Sequence, residues 1–273
     1  MQYLDLSPYL SQIKLPKEGS KKGDNGRVLV IGGSRLFHAA AFWSATMASR
    51  LVDMVHFTSP ELENNDLMRI RAKGKFWDGI VVPYEEIDHY VDEDDAILIG
   101  PGMERGETTK QIVNNFLKKY PYKKWVVDGG ALQEVDPTLL TENMIITPNY
   151  KELTLLNTKY EILNTKLPCT ILSKGPTDTI TPSPTDSRLY GYTGIPLTIS
   201  GGSPGLTKGG TGDVLSGLVA GLAAKSDNFA ACVLASYAVK IASESLTSRV
   251  GPFFSPTNLI DEIPHTLKSI LKV

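Results

Sequence analysis

The amino-acid sequence predicts an α/β fold, a single three-layer α/β/α domain over residues 1–273 with a mainly parallel central sheet. Seven short runs are apolar throughout rather than alternating with polar residues, as is typical of strands covered on both faces. Helical patterns separate several of these runs, which favours βαβ units. No internal repeat, low-complexity tract or clear linker occurs in the 273 residues, so we interpret them as one domain.

The order of elements follows from these patterns. Buried strands are predicted at 27–31, 53–57, 79–82, 96–100, 124–128, 144–147 and 169–173. Helices are predicted at 39–52, 108–120, 213–224, 229–248 and 257–271. The helix at 213–224 rests on apolar residues at the i, i+3, i+4, i+7 spacing of a buried stripe, namely Leu215, Leu218, Val219 and Leu222. We expect a sheet of about eight or more strands with helices on both faces.

The composition argues against several classes of protein. A formal net charge of −2 and the lack of a Lys/Arg-rich run argue against a nucleic-acid partner. The longest uncharged apolar stretches, 214–224 and 229–239, are too short to span a bilayer, and the N-terminus has no signal-peptide pattern. Cys169 and Cys232 form no CxxC motif, which favours a reducing cytoplasm. The four histidines are scattered, so we expect no structural zinc site.

Glycine- and proline-containing loops follow the predicted strands. In open α/β sheets, ligands bind outside the carboxyl ends of the strands, so we expect these loops to outline one cleft. The loops are 32–34, 100–102, 128–132, 147–152, 174–178 and 201–212.

The stretch GGSPGLTKGGTGDVLSG at 201–217 holds seven of the 24 glycines. Its backbone N–H groups precede a predicted helix, where unpaired donors and the helix dipole favour an anion such as phosphate. Asp213 stands beside that site and could take the proton of a hydroxyl that attacks a phosphoryl group, or it could be an ordinary N-cap. No GxGxxG follows a predicted strand and no GxxxxGK[ST] occurs, which disfavours a Rossmann dehydrogenase and a P-loop enzyme.

Six segments carry a family resemblance: KGDNGRVLVIGGS, GPGMERGE, DGGAL, TPNYKEL, SKGPTDTI and GGSPGLTKGGTGDVLSGL. In this order they resemble ribokinase-like proteins, and more specifically the nucleotide-dependent NAD(P)H-hydrate dehydratases, from about residue 23 to beyond residue 218. The resemblance implies a ribokinase-like fold, with Asp213 as catalytic base and Gly210–Gly212 as an anion hole. It also implies two sets of binding residues. The nucleotide-binding set is Lys174, Gly175, Pro176, Thr177, Asp178, Gly210, Thr211 and Gly212, and the substrate-binding set is Ala40, Gly102, Asn149 and Asp213.

Two positions depart from the family pattern. Asn149 replaces the usual histidine after TP, and DGGAL stands for the usual DADAL but keeps Asp128. Asn149-x-x-Glu152 resembles the metal-organising NxxE of ribokinase-type kinases, which implies that Glu152 holds Mg²⁺ through water. The residues alone leave plainer alternatives open: Asn149 and Glu152 could cap a helix that starts near Tyr150, Asp128 could begin a turn, and Lys174 could be a solvated strand-end lysine.

The resemblance implies repair of hydrated NADH or NADPH, specifically the S epimer, with ATP or ADP as phosphoryl donor and Mg²⁺ as cofactor. Phosphorylation of the 6-hydroxyl of the ring and elimination of phosphate would restore the dihydropyridine. It also implies a cytoplasmic homo-oligomer, and a separate protein that supplies the epimerase activity, since only about 25 residues precede the first strand.

Two alternatives from other classes stay open at this point. One is a ribokinase-family kinase acting on a hydroxymethylpyrimidine, thiazole or pyridoxal alcohol, which TPNYKE favours and GLTKGGTGDVL disfavours. The other is a non-catalytic nucleotide-binding protein, which the intact Asp213 beside a complete Gly-Thr-Gly loop disfavours.

Overall fold

The computed structural model describes residues 5–74, 78–161, 167–190 and 195–273, which build one nine-stranded sheet. The strands are β1 (Arg27–Ile31), β2 (Met54–Thr58), β3 (Ile80–Val81), β4 (Ala96–Ile99), β5 (Trp125–Val127), β6 (Ile145–Ile146), β7 (Thr170–Ser173), β8 (Thr177–Thr181) and β9 (Leu197–Ser200). Their order across the sheet is β3-β2-β1-β4-β5-β6-β7-β8-β9. Neighbours are parallel from β3 to β7, whereas β8 runs antiparallel to both β7 and β9.

Helices connect the strands and cover both faces of the sheet. They are α1 (Ser7–Leu10), α2 (His38–Ala48), α3 (Leu62–Gly74), α4 (Ile87–Glu93), α5 (Glu107–Lys119), α6 (Gly129–Glu134), α7 (Tyr150–Glu161), α8 (Pro184–Tyr190), α9 (Thr211–Ala223), α10 (Asn228–Val250) and α11 (Pro256–Leu271). Strand β1 shows how the layers form, because its side chains alternate between faces. Val28 and Val30 pack in a core with α1, α2, α9, α10 and α11, while Leu29 and Ile31 pack in a second core with α4 to α7.

The mainly parallel three-layer architecture and all seven predicted strands are confirmed. The patterns do not predict β8 and β9, because neither is an apolar run: β8 (TDTIT) is polar at four of five positions and β9 (LTIS) is polar at alternate positions. They also miss α1, α3, α4, α6 and α8, of which only α3 is longer than seven residues. The 12-residue α7 is anticipated only as the helix that Asn149 and Glu152 could cap. Helix α2 ends four residues before the predicted 52.

Helix α10 is longer than the apolar stretch that we noted at 229–239. It has 23 residues, and by length and composition alone it is the one helix in the described part of the chain that could cross a membrane. Most of that segment is buried against α9, α11 and the sheet, which is the environment of a core helix.

Candidate active site

The glycine loop runs into a helix at the predicted place. Gly210 takes a left-handed conformation with φ +98°, and α9 begins at Thr211, two residues before Asp213. A Cβ on Gly210 would lie 2.5 Å from the ring of Trp43, so this helix start requires glycine. Gly210 is the N-cap residue, and the alternative that Asp213 is an ordinary N-cap is wrong.

This helix start leaves backbone donors free for an anion. Within the described ranges, the N–H groups of Gly209, Gly210 and Gly212 donate to no backbone carbonyl. The hydroxyl of Thr211 lies 2.6 Å from the carbonyl oxygen of Leu206 and so holds the loop against the helix. Free N–H groups at the start of a 13-residue helix are an arrangement that favours binding of an anion such as phosphate.

Asp213 is half-buried in the first turn of α9. Burial, and then the nearby Asp128 carboxylate, raise the pKa of the Asp213 carboxyl from 3.8 to about 7, although the Lys174 ammonium opposes the rise. The hydroxyl of Ser44 in α2 lies 2.9 Å from the Asp213 carbonyl oxygen and fixes this turn. A carboxyl group with a pKa near neutrality can both accept and return a proton at physiological pH.

Lys174 and Asp128 form an ion pair that faces Asp213. The Lys174 Nζ lies 2.8 Å from Asp128 Oδ1, and the two side chains are 21% and 4% exposed. Burial alone would lower the pKa of the Lys174 ammonium, but the carboxylates of Asp128, Glu152 and Asp213 together raise it above its ordinary value. Lys174 is therefore paired rather than solvated. Asp128 accepts a hydrogen bond from Lys174 and is also the N-cap residue of α6, so it does more than begin a turn.

Asn149 and Glu152 form a capping box at the start of α7. Asn149 Oδ1 accepts hydrogen bonds from the N–H groups of Lys151 and Glu152, and Glu152 Oε2 accepts one from the Asn149 N–H at 2.8 Å. The other oxygen, Glu152 Oε1, accepts from Gln133 at 2.9 Å. The plainer alternative of helix capping is therefore confirmed. The described residues contain no group of three metal-ligating side chains.

A cavity of about 530 Å³ adjoins the glycine loop. Six of the eight residues in the predicted nucleotide-binding set line this cavity: Lys174, Gly175, Pro176, Asp178, Thr211 and Gly212. The other two, Thr177 and Gly210, do not line it. The Asp178 carboxylate is used by the protein itself, since it accepts hydrogen bonds from the Gly175 N–H at 2.9 Å and the Ser236 hydroxyl at 2.7 Å. Asp178 therefore shapes the cavity wall.

The predicted substrate-binding residues Ala40 and Gly102 meet on the α2 side of Asp213. A Cβ on Gly102 would lie 3.0 Å from the Cβ of Ala40, and the Ala40 carbonyl oxygen lies 3.2 Å from the Ser44 hydroxyl that also contacts Asp213. Asn149 pairs through the backbone with Lys174, whose ammonium and the Asp213 carboxylate interact electrostatically.

Comparison with known proteins shows the family of this chain. The family model described as NAD(P)H-hydrate dehydratase matches residues 28–265. The chain belongs to the NAD(P)H-hydrate dehydratase family. It is 30% identical to the bifunctional NAD(P)H-hydrate repair enzyme of Methanocaldococcus jannaschii over 95% of this chain, and it spans 51% of that relative's length. It is 28% identical to the ADP-dependent (S)-NAD(P)H-hydrate dehydratase of Nitrosopumilus maritimus, over 94% of this chain and 93% of that one.

The fold comparison places this family member among ribokinase-like proteins. A crystal structure of a ribokinase-like superfamily protein from Enterococcus faecalis superposes with a TM-score of 0.77 at 25% identity, covering 98% of this chain and 95% of that chain. The predicted ribokinase-like fold is confirmed.

The sequence patterns do not identify one row of polar side chains on α10 of this dehydratase-family chain. Helix α10 directs five polar side chains toward the walls of the 530 Å³ cavity, and all five bond to the loops around 175–178 and 201–203. They are Ser236, Lys240, Ser243, Glu244 and Thr247. Their helical spacing within an otherwise apolar segment is a signal that could have identified them.

Proposed function

We propose that this chain dehydrates the S epimer of hydrated NADH or NADPH, using ATP or ADP as phosphoryl donor. The observation that carries the proposal is Asp213, a carboxyl group with a pKa of about 7 at a glycine-lined helix start beside a nucleotide-sized cavity. The names of the relatives support the substrate and the ADP dependence.

In the proposed reaction, Asp213 takes the proton of the 6-hydroxyl as the hydroxyl oxygen attacks the terminal phosphorus of the nucleotide. The shortened nucleotide leaves with the electrons of the broken P–O bond. The ring nitrogen then donates its lone pair, the C–O bond breaks and phosphate departs. Loss of a proton from the neighbouring ring carbon restores the dihydropyridine.

The protein groups around Asp213 divide the remaining tasks. The free N–H groups of the helix start and the Lys174 ammonium can bind the phosphoryl oxygens and stabilise the negative charge that develops on these oxygens during the transfer. The Asp128 carboxylate holds Lys174 in place and raises the pKa of Asp213, so that the base is poised near neutral pH.

The carboxylates of this site fit Mg²⁺, which prefers oxygen ligands and retains several of its waters. Both Glu152 oxygens already accept hydrogen bonds from the protein, so Glu152 would hold the ion through water rather than directly. When bound, Mg²⁺ would neutralise charge on the nucleotide phosphates.

Ala40, Gly102 and Asn149 are proposed to contact the hydrated dinucleotide. Ala40 has only a methyl side chain and Gly102 has none, and both lie next to a second cavity of about 440 Å³, lined by Gly33, Ser34 and Met103 among others. Asn149 stands where the family usually has histidine, and its side-chain oxygen is engaged in the capping box.

A ribokinase-family kinase is the weaker candidate. The feature that favours it, Asn149-x-x-Glu152, is accounted for by the capping box of α7.

We further propose a cytoplasmic homo-oligomer that works with a separate epimerase. The bifunctional relative supports a link to a second activity, because this chain matches about half of its length.

Incubation with hydrated NADH and Mg²⁺, plus ATP or ADP, tests the proposal. We expect recovery of NADH absorbance with release of an equal amount of inorganic phosphate. A stable phosphorylated alcohol from a pyrimidine or thiazole substrate, without NADH recovery, would instead identify a kinase.

A further inference from the structure

Lys240 is a buried cation on α10 that the reaction described above does not use. It is 2% exposed, and its Nζ lies 3.2 Å from the carbonyl oxygens of both Gly175 and Pro176 and 3.3 Å from that of Gly201. The Asp178 carboxylate lies 3.4 Å from the same nitrogen. One ammonium group therefore contacts four acceptors.

These acceptors belong to two segments that are distant in sequence. Gly175 and Pro176 form the turn between β7 and β8, and Gly201 begins the glycine loop after β9. Both segments line the 530 Å³ cavity, as does Lys240 itself. The stem of Lys240 also packs on the glycine loop, since a Cβ on Gly202 would lie 3.3 Å from Lys240 Cγ. Lys240 thus joins two walls of one cavity.

The energetics favour a positioning role. A buried ammonium is expensive unless it is paired and hydrogen-bonded, and here three carbonyl dipoles and one carboxylate offset that cost. Without the ammonium, the two loops lose their shared donor, and their carbonyl groups face each other with no cation between them. If the walls of a site become ordered only when the ligand binds, the entropy cost of that ordering reduces the affinity.

We propose that Lys240 is a positioning residue for the nucleotide: it fixes the β7–β8 turn against the glycine loop and so sets the affinity of the cavity for ATP or ADP. The proposal rests on the proposed function in taking the cavity as the nucleotide site. The partners of Lys240 are Gly175, Pro176, Gly201 and Asp178, and none of these belongs to the proposed substrate set, so the proposal assigns Lys240 no role in binding the hydrated dinucleotide.

The chain contains a matched control in Lys124. This lysine is also largely enclosed, and its Nζ donates to the carbonyl oxygens of Ala223 at 2.6 Å and Ser226 at 2.8 Å, at the end of α9 remote from Asp213. Lys124→Met removes a half-buried lysine bound to backbone carbonyls, and Lys124 does not line the 530 Å³ cavity. Any loss due only to removal of such a cation appears in both variants.

The test compares wild type, Lys240→Met, Lys124→Met and the double variant Asp178→Asn/Lys240→Met. The double variant leaves no unpaired buried charge, so it serves if the single variant does not fold, and it is compared with Asp178→Asn because Asp178 also accepts from the Gly175 N–H. Calorimetric titration with ATP and with ADP measures the Kd directly. Steady-state assays then separate the nucleotide KM, the hydrated NADH KM and kcat.

We expect the nucleotide Kd and KM to rise about tenfold or more in both Lys240 variants, the scale of a lost preorganised contact. We expect the hydrated NADH KM to stay within about twofold, and Lys124→Met to bind nucleotide as wild type does. A wild-type nucleotide Kd in a folded Lys240 variant, or an equal rise in Lys124→Met, overturns the positioning role alone. Failure of the wild-type chain to bind either nucleotide overturns the proposed function itself.

Discussion

Replacing Asp213 with asparagine separates a catalytic base from a structural residue, because it has opposite effects on activity and on stability. Asparagine keeps the shape and removes the proton acceptor, so kcat should fall by about 10²- to 10⁴-fold, the usual effect of losing a general base. The nucleotide Kd should change little, because the free N–H groups of the loop and Lys174 remain.

The effect of this substitution on stability follows from the raised pKa. The pKa of Asp213 rises from 3.8 to about 7 on folding, so the folded state holds a proton that the unfolded state releases between these pH values. Ionised Asp213 therefore destabilises the folded chain, and at 1.36 kcal/mol per unit of pKa the cost is on the order of 4 kcal/mol. The cost is absent below pH 3.8, grows through the window up to about 7 and is fully present above it.

Urea unfolding of wild type and Asp213→Asn at several pH values measures this cost. We expect the variant to be more stable at pH 8 by several kcal/mol at most, with the difference shrinking toward pH 4. Asp227→Asn is the control, since Asp227 is a true N-cap that accepts from the Ala230 N–H at 2.9 Å, where asparagine serves equally well. Nearly full activity in Asp213→Asn, or a stability difference that does not depend on pH, would refute the reasoning.

Four further outcomes are expected. The kcat/KM of wild type should rise with pH up to about 7 and then level off, and a flat profile below 7 would contradict Asp213 as the base. Lys174→Met should lower the free energy of unfolding by about 3–5 kcal/mol, because it leaves the buried Asp128 carboxylate without its partner. Lys174→Met/Asp128→Asn should recover much of that loss, and no recovery in a denaturant titration would refute the pairing. Glu152→Gln should keep the capping box and thus stability, but should raise the Mg²⁺ concentration for half-maximal rate; an unchanged Mg²⁺ titration argues against a metal role. Gly210→Ala should cost about 1–3 kcal/mol and weaken nucleotide binding, because φ is +98° and Trp43 blocks a Cβ; wild-type unfolding and affinity would contradict this.

The sequence predicts the parallel part of the sheet well, for a physical reason. Strands buried on both faces must be apolar throughout, and RVLVI and AILI carry that pattern without ambiguity. The pattern fails at β8, because an antiparallel strand near the sheet edge alternates buried and half-exposed positions and TDTIT contains only one aliphatic residue. The sequence predicts a loop at 174–178, but Thr177 and Asp178 belong to β8.

Some residues of the candidate site could likewise be predicted from the sequence, and others could not. Asp213 and the helix start at Thr211 could be located from glycine density followed by an apolar helical stripe, since both signals are local. The Lys174–Asp128 pair and the role of Lys240 could not be derived in that way, because their partners lie 46 residues away for Lys174 and up to 65 residues away for Lys240. Such contacts depend on which strands become neighbours, and sequence periodicity does not specify that order.

The most direct test of the central claim follows one oxygen atom. Hydrated NADH carrying ¹⁸O in its 6-hydroxyl is incubated with the protein, Mg²⁺ and ATP or ADP, and the inorganic phosphate is examined by mass spectrometry. Phosphorylation of that hydroxyl followed by C–O cleavage predicts one ¹⁸O in each released phosphate, at the rate at which NADH reappears. Unlabelled phosphate, with the ¹⁸O found in water, would contradict a phosphorylated intermediate and with it the role given to Asp213.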